Sequence, residues 1–352
     1  MRFPTLFPLG LWVRLVARHG VSWGRVPNAL ALPIKWALVW PFHVADRLLY
    51  SKRIREAQVR SPVFIVGQFR SGTTYLHRLL SSVAPMAAPN AYQVIFCEAF
   101  LSSEWLLKPL LQRVSNLLGL QNPLEGVPLD WDNPGEDDVA LFMAPYEASA
   151  NWGIVFPKAS PAGFSDEAYF DGWTWFVRKL SVRYPGATLV LKNPPGTLRM
   201  EALAERFPDS RFVYLYRDPV ELFSSMRRFW EAVGGSALHV LTPAEVDDRI
   251  VASVRAYHAA FLRSRERLPA SRWIVVRYED LDRDPSAALA AIWERLGAGP
   301  FPKAAFEVRI ADQGKRGKRP LTLTEDVRAR VRRDLPEVLA FWEASRSDTR
   351  SG

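Results

Sequence analysis

The stretch GQFRSGTT, residues 67–74, gathers groups that bind anions. Gly67 and Gly72 allow the backbone to turn tightly, and the Arg70 guanidinium adds positive charge with a forked geometry. Hydroxyl donors come from Ser71, Thr73 and Thr74. The glycine spacing is that of a phosphate-binding loop, but Thr73 stands where nucleoside triphosphatases have lysine. The stretch, named the phosphate loop below, therefore predicts anion binding and leaves open which phosphate ester is bound.

Further charged residues follow other apolar runs. Lys192 emerges from ATLVLKN, where a lysine is unusual unless it is paired. Arg217 lies at the end of SRFVYLYRD, beside Asp218 with which it could pair, and Ser225 follows eight residues later. Two more groups are the acidic residues Glu136, Asp137 and Asp138 and the basic residues Lys315, Arg316, Lys318 and Arg319.

Alternating strand and helix patterns predict the framework that positions these residues. The apolar run SPVFIVGQ predicts a buried strand before the phosphate loop, and TTYLHRLLSSV predicts a helix at its end. Further strands are predicted in ATLVLKN, SRFVYLYRD and RWIVVRYEDL. Ligands of parallel α/β sheets bind at the carboxyl ends of the strands, so we expect the phosphate loop, Lys192 and Arg217 at one site.

The expected fold class is α/β: a three-layer, P-loop-like fold with a central parallel sheet flanked by helices, preceded by an N-terminal helical segment. An amphipathic helix is predicted over residues 104–120, and the acidic end of PLDWDNPGEDD can open another. The remaining helices are predicted in PPGTLRMEALAERF, in PVELFSSMRRFWEAV with Pro219 near its start, and around Phe341 and Trp342.

Charge divides the 352 residues unevenly. The chain carries +9 in all, and residues 1–60 hold ten Lys and Arg against two acids, a net charge of +8. We therefore separate a basic, aromatic-rich N-terminal segment, 1–60, from an α/β domain, 61–352. The single cysteine, Cys97, excludes an internal disulfide, and the five histidines lack zinc-ligand spacing, so no metal is expected.

Two interpretations of the N-terminal segment remain open. Its tryptophans and cations suit a helix lying on an anionic membrane face, or a helical layer packed on the core with solvated cations. Its uncharged runs are interrupted by Arg14, Lys35 and Pro41, so none reaches the roughly 20 residues of a spanning helix. Nucleic acid is a weaker third interpretation, because a basic face alone attracts any polyanion, and no nucleic-acid partner is expected.

The phosphate loop and the later RDP…S pattern together resemble the sulfotransferases that use 3′-phosphoadenosine 5′-phosphosulfate, and the bacterial members in particular. VLKNP, FPDSRFVYLYRDP and PGEDDVAL occur in the order that this family shows, and the resemblance spans about residues 61–345. In that family the positive charge precedes Ser-Gly-Thr-Thr, where this chain has Arg70, and no lysine is expected at Thr73.

The resemblance implies a role for each matching residue. The 5′-phosphosulfate would be held by the phosphate loop, through Gly67, Arg70, Ser71, Gly72, Thr73 and Thr74. Arg217 and Ser225 would hold the 3′-phosphate, and Tyr75 would lie near the adenine. The 3′-phosphate site would be completed from the basic run, by Arg316, Lys318 or Arg319.

The implied reaction is in-line transfer of a sulfuryl group to a hydroxyl acceptor. Arg70 and Lys192 would neutralise charge on the leaving phosphate. Pro194 and Gln93 stand where different family members carry a basic histidine or glutamate. The candidates for the general base are Glu136, Asp137 and Asp138, whose alternative role is to cap a helix. His77 is expected to pack in the core, and Glu279 and Asp280 to be structural.

Two alternative functions stay open: an ATP-dependent P-loop kinase, and an inactive protein that binds the nucleotide without turnover. The kinase is disfavoured by the missing lysine of the phosphate loop. Aromatic residues at 12% and the apolar, basic N-terminus favour a lipid-like alcohol as the acceptor, although a small-molecule alcohol is also compatible. The expected location is the cytoplasm, with peripheral association at the inner face of the membrane as a further expectation.

Overall fold

The computed structural model describes residues 9–122, 126–143, 152–158, 166–235, 237–314 and 320–348. Packing divides the chain into two compact units, each described by itself below. The first unit comprises Met1–Val59, Ala88–Leu189 and Ala232–Leu241, and the second comprises Arg60–Ala87, Val190–Glu231 and Thr242–Gly352. The division at residue 60 that the sequence suggests stays a prediction.

The described residues form strands and helices in the following order. The strands are β1 (Val63–Gly67), β2 (Met86–Ala87), β3 (Thr188–Lys192), β4 (Arg211–Tyr216) and β5 (Trp273–Arg277). The helices are α1 (Leu9–His19), α2 (Val26–Glu56), α3 (Thr73–Leu80), α4 (Ala91–Ile95), α5 (Phe100–Leu117), α6 (Asp137–Met143), α7 (Trp152–Val155), α8 (Asp166–Arg183), α9 (Met200–Arg206), α10 (Pro219–Gly234), α11 (Pro243–Arg267), α12 (Tyr278–Arg283), α13 (Pro285–Leu296), α14 (Lys303–Gly314), α15 (Glu325–Asp334) and α16 (Pro336–Asp348). Short 3₁₀ turns occupy Trp23–Arg25, Pro194–Arg199 and Ala270–Arg272.

The strands form one sheet in the order β2-β3-β1-β4-β5, and β1 pairs in parallel with both β3 and β4. Every residue of β1 is buried, as its continuous apolar sequence predicts for a central strand. The chain leaves β1 toward β3 on one side and returns to β4 on the other. The end of β1 is therefore a topological switch point, where open α/β sheets bind ligands.

Helices cover both faces of the sheet within the second unit. On one face, Ile65 packs in a cluster with Leu79 of α3 and Trp293 of α13. On the other face, Tyr214 of β4 stacks on Phe261 of α11, with ring centroids 3.6 Å apart. This arrangement confirms the predicted three-layer fold with a central parallel sheet.

One strand prediction is wrong in part. The expected strand RWIVVRYEDL ends at Arg277, and Tyr278–Arg283 forms α12 instead. Asp280 accepts hydrogen bonds from Arg277 and Arg283, and acidic residues in a first turn favour a helix start. The local acid–arginine pairs thus end the strand early.

Other predicted elements are confirmed, with shifted ends. The amphipathic helix expected over 104–120 runs from Phe100 to Leu117, the acidic residues open α6, and Pro219 is the first residue of α10. Helix α11 has no counterpart among the predicted elements. Its start nevertheless carries a capping box, in which Thr242 accepts from the Glu245 amide, and a proline at the first position.

The first unit contains α1, α2 and α5 and buries several charged side chains. Trp12 of α1 donates to the Ala29 carbonyl of α2, which fixes the two helices together. The buried Lys179 ammonium lies 2.6 Å from the Asp46 carboxylate, and the Asp46 carboxylate also accepts from the Ser102 amide at the start of α5. Among the described residues, none of the helices combines the length and apolar character that a membrane crossing requires.

Candidate active site

The phosphate loop begins at the end of β1, where the backbone of Gly67 lies against the backbone of the adjacent strand β4. Gly67 has φ 135°, and a Cβ placed on it would lie 2.2 Å from the Leu215 carbonyl oxygen. The Gly67 amide donates to Thr197 Oγ1 at 2.8 Å, and the Thr197 hydroxyl donates to the Gly67 carbonyl at 3.1 Å. Only glycine fits this contact, so the start of the loop is held rigidly on β4 and on the turn after β3.

Two left-handed residues bend the phosphate loop. Arg70 has φ 70°, a backbone conformation that is uncommon for a residue other than glycine and that is enriched at functional sites. Gly72 has φ 97°, and a Cβ on it would lie 2.2 Å from the Tyr278 ring. The Ser71 hydroxyl and amide both donate to the Gln68 carbonyl, at 2.7 and 3.2 Å. These bonds close the loop on itself around the start of α3.

Helix α3 supplies the amides that face the bend of the loop. The first four amides of a helix have no carbonyl one turn back within the helix, and with the helix dipole they attract anions. Thr73 and Thr74 occupy the first two positions, and the Tyr75 amide already bonds the Gly72 carbonyl at 3.0 Å. The start of α3 therefore presents backbone donors together with two hydroxyl groups.

Arg217 and Ser225 contact the phosphate loop from β4 and α10. Arg70 Nε donates to Ser225 Oγ at 3.2 Å, and Arg217 Nη1 donates to the Arg70 carbonyl at 3.3 Å. The Arg217 guanidinium also pairs with Glu221 at 2.6 Å and lies 4.5 Å from the centre of the Tyr278 ring. Three of the sequence-predicted residues are thus joined by direct hydrogen bonds.

Lys192 completes the group at the carboxyl ends of the strands. Its side chain is buried at the end of β3, and Nζ donates to Thr74 Oγ1 at 3.1 Å. The ends of β1, β3 and β4 therefore bring the loop, Lys192 and Arg217 to one edge of the sheet, as the strand order requires. This set offers two guanidinium groups, an ammonium and helix amides to an anionic ligand.

On α3, His77 is buried in the core, whereas Tyr75 is half-buried. Tyr75 packs against the apolar cluster of the second unit, and burial raises the pKa of its hydroxyl, with Asp282 adding to the effect. Burial, reinforced by the charge of Lys192, lowers the pKa of His77 to about 3. His77 Nε2 lies 3.1 Å from the Val190 carbonyl. His77 is a neutral packing residue, as the sequence predicts.

The acidic candidates belong to the first unit, whereas the residues around the phosphate loop belong to the second. Glu136 precedes α6, and Asp137 and Asp138 are its first two residues, both buried. The Trp173 indole donates to the Asp137 carboxylate. Gln93 is also buried, and its amide donates to Glu104 at 3.1 Å. The remaining candidates, Arg316, Lys318 and Arg319, lie outside the described residues.

Several loop contacts are absent from the sequence prediction. Tyr278 lies against both Gly72 and Arg217, and it follows β5 directly, so the strand-end argument that selected Arg217 also applies to it. Thr197 has no such signal, because its contact with Gly67 depends on the turn after β3. Glu279 accepts from the Asp218 amide at 2.8 Å, in keeping with its predicted structural role, and burial raises its pKa.

The chain is similar in sequence to proteins that are named as sulfotransferases. The model of the group described as "Sulfotransferase family" matches residues 62–302. The protein named omega-hydroxy-beta-dihydromenaquinone-9 sulfotransferase Stf3, from Mycobacterium tuberculosis, is 27% identical over 317 residues, which are 84% of this chain and 78% of the relative. The same protein of Mycobacterium bovis matches equally.

Two solved structures share the fold along nearly the whole chain. The sulfotransferase STF9 from Mycobacterium avium has a TM-score of 0.70 at 18% identity, covering 98% of both chains. The sulfotransferase STF1 from M. tuberculosis has a TM-score of 0.69 at 19% identity, covering 92% of this chain and 90% of that one. At such identities the likeness establishes the fold.

Proposed function

Because this chain belongs to the sulfotransferase family, we propose that it moves a sulfuryl group from 3′-phosphoadenosine 5′-phosphosulfate to the hydroxyl of a lipid-like alcohol. That the protein is a sulfotransferase follows from the family model over residues 62–302. The donor nucleotide, the acceptor and the roles of single residues are the proposal, and the geometry at the carboxyl ends of the strands supports them.

One observation carries the donor assignment: Arg70 of the phosphate loop is hydrogen-bonded to both Ser225 and Arg217, which could bind a second anionic group. Arg70 Nε reaches Ser225, and the Arg70 carbonyl accepts from Arg217. The proposed donor carries two anionic groups, one at the 5′ and one at the 3′ position of the ribose. In our proposal the phosphate loop binds the 5′-phosphosulfate, and Arg217 with Ser225 binds the 3′-phosphate. Arg316, Lys318 or Arg319 would complete the second site, and Tyr75 would lie near the adenine.

The residues of the loop suit transfer by positioning and charge stabilisation. The helix amides, Thr73 and Thr74 would orient the phosphosulfate, as donors do in phosphoryl transfer. Arg70 and the buried Lys192 would stabilise the negative charge that builds on the leaving phosphate. The acceptor proton would pass to a carboxylate of Glu136, Asp137 or Asp138.

The acceptor class rests on the relative and on the N-terminal composition. The M. tuberculosis relative is named for an omega-hydroxy menaquinone, which is an alcohol on a lipid. The first 60 residues of this chain are basic and rich in tryptophan. We infer that the enzyme takes a lipid-like alcohol at the cytoplasmic face of a membrane. A long-chain alcohol should therefore be a better acceptor than its short, water-soluble analogue.

Calorimetric titration with 3′-phosphoadenosine 5′-phosphate tests the donor assignment. The bisphosphate should bind without magnesium, and Arg217→Ala should weaken binding by about 10- to 100-fold, because a charge-assisted pair contributes roughly 1.5–3 kcal/mol. Arg267→Ala is the control, since Arg267 also belongs to the second unit and pairs with an acid, Glu201, at 2.7 Å. Binding of ATP alone, with or without magnesium, would instead favour the kinase.

Turnover separates the enzyme from an inactive nucleotide-binding protein. With the phosphosulfate as donor, wild-type protein should sulfate a long-chain alcohol, and Lys192→Met should lower kcat more than it weakens bisphosphate binding. Replacing Glu136, Asp137 and Asp138 one at a time by the amide should identify the base as the residue whose loss removes the acidic limb of the pH–rate profile. Bisphosphate binding without turnover on any alcohol would support the inactive alternative.

A further inference from the structure

Helix α2 exposes an apolar face to solvent. Val26, Leu30, Ile34 and Leu38 recur every four residues, and each is exposed, Leu38 by 72%. Residues four apart lie on one side of a helix. The opposite side of α2 is also apolar and packs inside the unit, through residues that include Trp36 and Val39. A surface helix of a globular protein normally has a polar outer face, and this part of α2 lacks one.

Two further segments of the first unit also expose apolar side chains. Trp23, in the 3₁₀ turn before α2, is 93% exposed. Helix α5 exposes Trp105, Leu106, Leu110, Val114 and Leu117, and the exposed fractions of Trp105 and Leu117 are 74% and 85%. Single exposed apolar residues are common, but rows of them along two helices mark an interaction surface.

Helices α2 and α5 contact each other, so these rows belong to one structural unit. Asp46 of α2 accepts from the Leu101 and Ser102 amides at the start of α5, at 3.2 and 2.7 Å. The Ser102 hydroxyl in turn donates to the Phe42 carbonyl at 3.1 Å. Trp105 lies one turn beyond this contact on α5, and Trp40 lies within two turns of it on α2.

Exposed cations accompany the apolar rows. Arg14 and Arg18 lie on α1, and Arg47, Lys52 and Arg53 follow the apolar part of α2. All five are exposed, and the first 60 residues carry a net charge of +8. Apolar side chains next to cations match an anionic bilayer, whose headgroups attract basic residues and whose acyl region takes up tryptophan and leucine.

We propose that the first unit docks on an anionic lipid bilayer through a surface made of α1, Trp23, α2 and α5. The apolar rows of α2 and α5 enter the interface, and the cations of α1 and α2 contact the headgroups. This inference adds a defined binding surface to the proposed lipid-like acceptor and rests on that function for its biological purpose. A second copy of the chain fits less well, because a two-fold contact would place two segments of +8 against each other.

Co-sedimentation with vesicles in the absence of any nucleotide or acceptor tests the surface. Wild-type protein should bind phosphatidylglycerol vesicles more tightly than phosphatidylcholine vesicles, and added salt should weaken the binding. Each of two triple variants, Leu30→Gln/Ile34→Gln/Leu38→Gln on α2 and Trp105→Gln/Leu110→Gln/Leu117→Gln on α5, should lower the partition coefficient by at least about tenfold.

The matched control is Leu198→Gln/Val308→Gln, which removes two exposed apolar residues of the second unit. It should bind vesicles as wild type does. If the α5 variant binds vesicles as tightly as wild type, α5 is not part of the docking surface. If wild-type protein does not bind vesicles, the whole docking surface is wrong. A dimer that dissociates in the α2 variant would assign the face to a second copy and also overturn the proposal.

A charge variant gives independent evidence if an apolar variant fails to fold. Arg47→Gln/Lys52→Gln/Arg53→Gln should weaken binding to anionic vesicles by at least about tenfold and leave binding to neutral vesicles unchanged. Bisphosphate titration and turnover on a short, soluble alcohol should be unaffected in every surface variant. If wild-type protein neither binds the bisphosphate nor turns over the alcohol, the proposed function fails. The docking surface is tested separately, because vesicle binding is measured without nucleotide or acceptor.

Discussion

The two units of this protein use buried cations in different ways. In the first unit, Lys179 is fully buried, lies 2.6 Å from Asp46 and donates to the Cys97 carbonyl at 2.6 Å. In the second unit, Lys192 is buried at a strand end and donates to the hydroxyl of Thr74 in the phosphate loop. The first cation is held by an acid of its own unit. The second lies beside residues whose backbone and hydroxyl groups suit an external anion.

The difference lies in what fixes each arrangement. The Asp46 carboxylate and the Cys97 carbonyl contact the Lys179 ammonium, and although burial lowers the pKa of Lys179, Asp46 acts in the opposite direction. The phosphate loop depends instead on backbone conformation, with Arg70 and Gly72 in the left-handed region. We therefore expect substitutions in the first unit to change stability, and substitutions in the loop to change nucleotide binding.

Lys179→Met should give the largest effect, a loss of about 3–5 kcal/mol in the free energy of unfolding. Removing the ammonium leaves the buried Asp46 carboxylate without its cation, although the carboxylate still accepts from two amides of α5. Chemical denaturation at neutral pH measures the change. Nucleotide affinity of the folded fraction should stay the same.

The double variant Lys179→Met/Asp46→Asn is the control for this prediction. Asparagine keeps an oxygen for the α5 amides and removes the unpaired charge, so the double variant should be more stable than Lys179→Met alone. If both variants unfold at the same denaturant concentration, packing of the lysine chain on Phe100, 4.4 Å from Nζ, rather than charge determines the loss.

Gly72→Ala should weaken bisphosphate binding at least about 100-fold, because the new Cβ would lie 2.2 Å from the Tyr278 ring that contacts Arg217. Gly299→Ala is a matched control for backbone strain. Gly299 has φ 87°, against 97° for Gly72, and a Cβ on it meets nothing within 4 Å. Gly299→Ala should lower the free energy of unfolding by about 1–2 kcal/mol and leave bisphosphate binding unchanged.

Equal bisphosphate affinity in Gly72→Ala and wild type would show that the Tyr278 ring can move aside without cost to the site. Loss of binding in both alanine variants would point to general destabilisation. Titration calorimetry on samples whose folding is verified by circular dichroism distinguishes the outcomes.

The same contrast explains how much could be predicted from the sequence. The strands β1, β3 and β4 are continuous apolar runs, and the phosphate loop and Arg217 follow such runs directly, so strand-end reasoning locates them. Tyr278 also follows an apolar run, yet the sequence pattern predicts that the strand continues through it. The acid–arginine pairs of Asp280, which end β5 early, are local side-chain interactions that apolar periodicity does not detect.

The buried ion pair of the first unit cannot be predicted from a local sequence pattern. Asp46 and Lys179 are 133 residues apart in sequence, and each looks like an ordinary surface residue on a helix until packing buries them together. The two-residue strand β2 is too short for any periodic pattern. Local motifs therefore identify the candidate site, whereas long-range ion pairs require the folded chain.

Two buried histidines provide a comparison in which the units should behave alike. Burial lowers the pKa of His43 in the first unit to about 4, although Glu98 opposes the shift, and burial lowers that of His77 in the second unit to about 3. A histidine whose pKa falls on folding takes up its proton first in the unfolded chain. The stability it confers is present above pH 6.5 and is lost as the pH falls toward the folded value.

Between pH 7.5 and 5.5, each histidine should therefore reduce the free energy of unfolding by about 1.4 kcal/mol. His43→Gln and His77→Gln should each flatten the pH dependence by that amount relative to wild type, whatever their stability at pH 7.5. Urea denaturation at both pH values measures the differences. A flatter profile in only one variant would mean that the other histidine takes up its proton in the folded protein. Equal flattening would show that burial controls both residues, even though one unit is organised around ion pairs and the other around a phosphate loop.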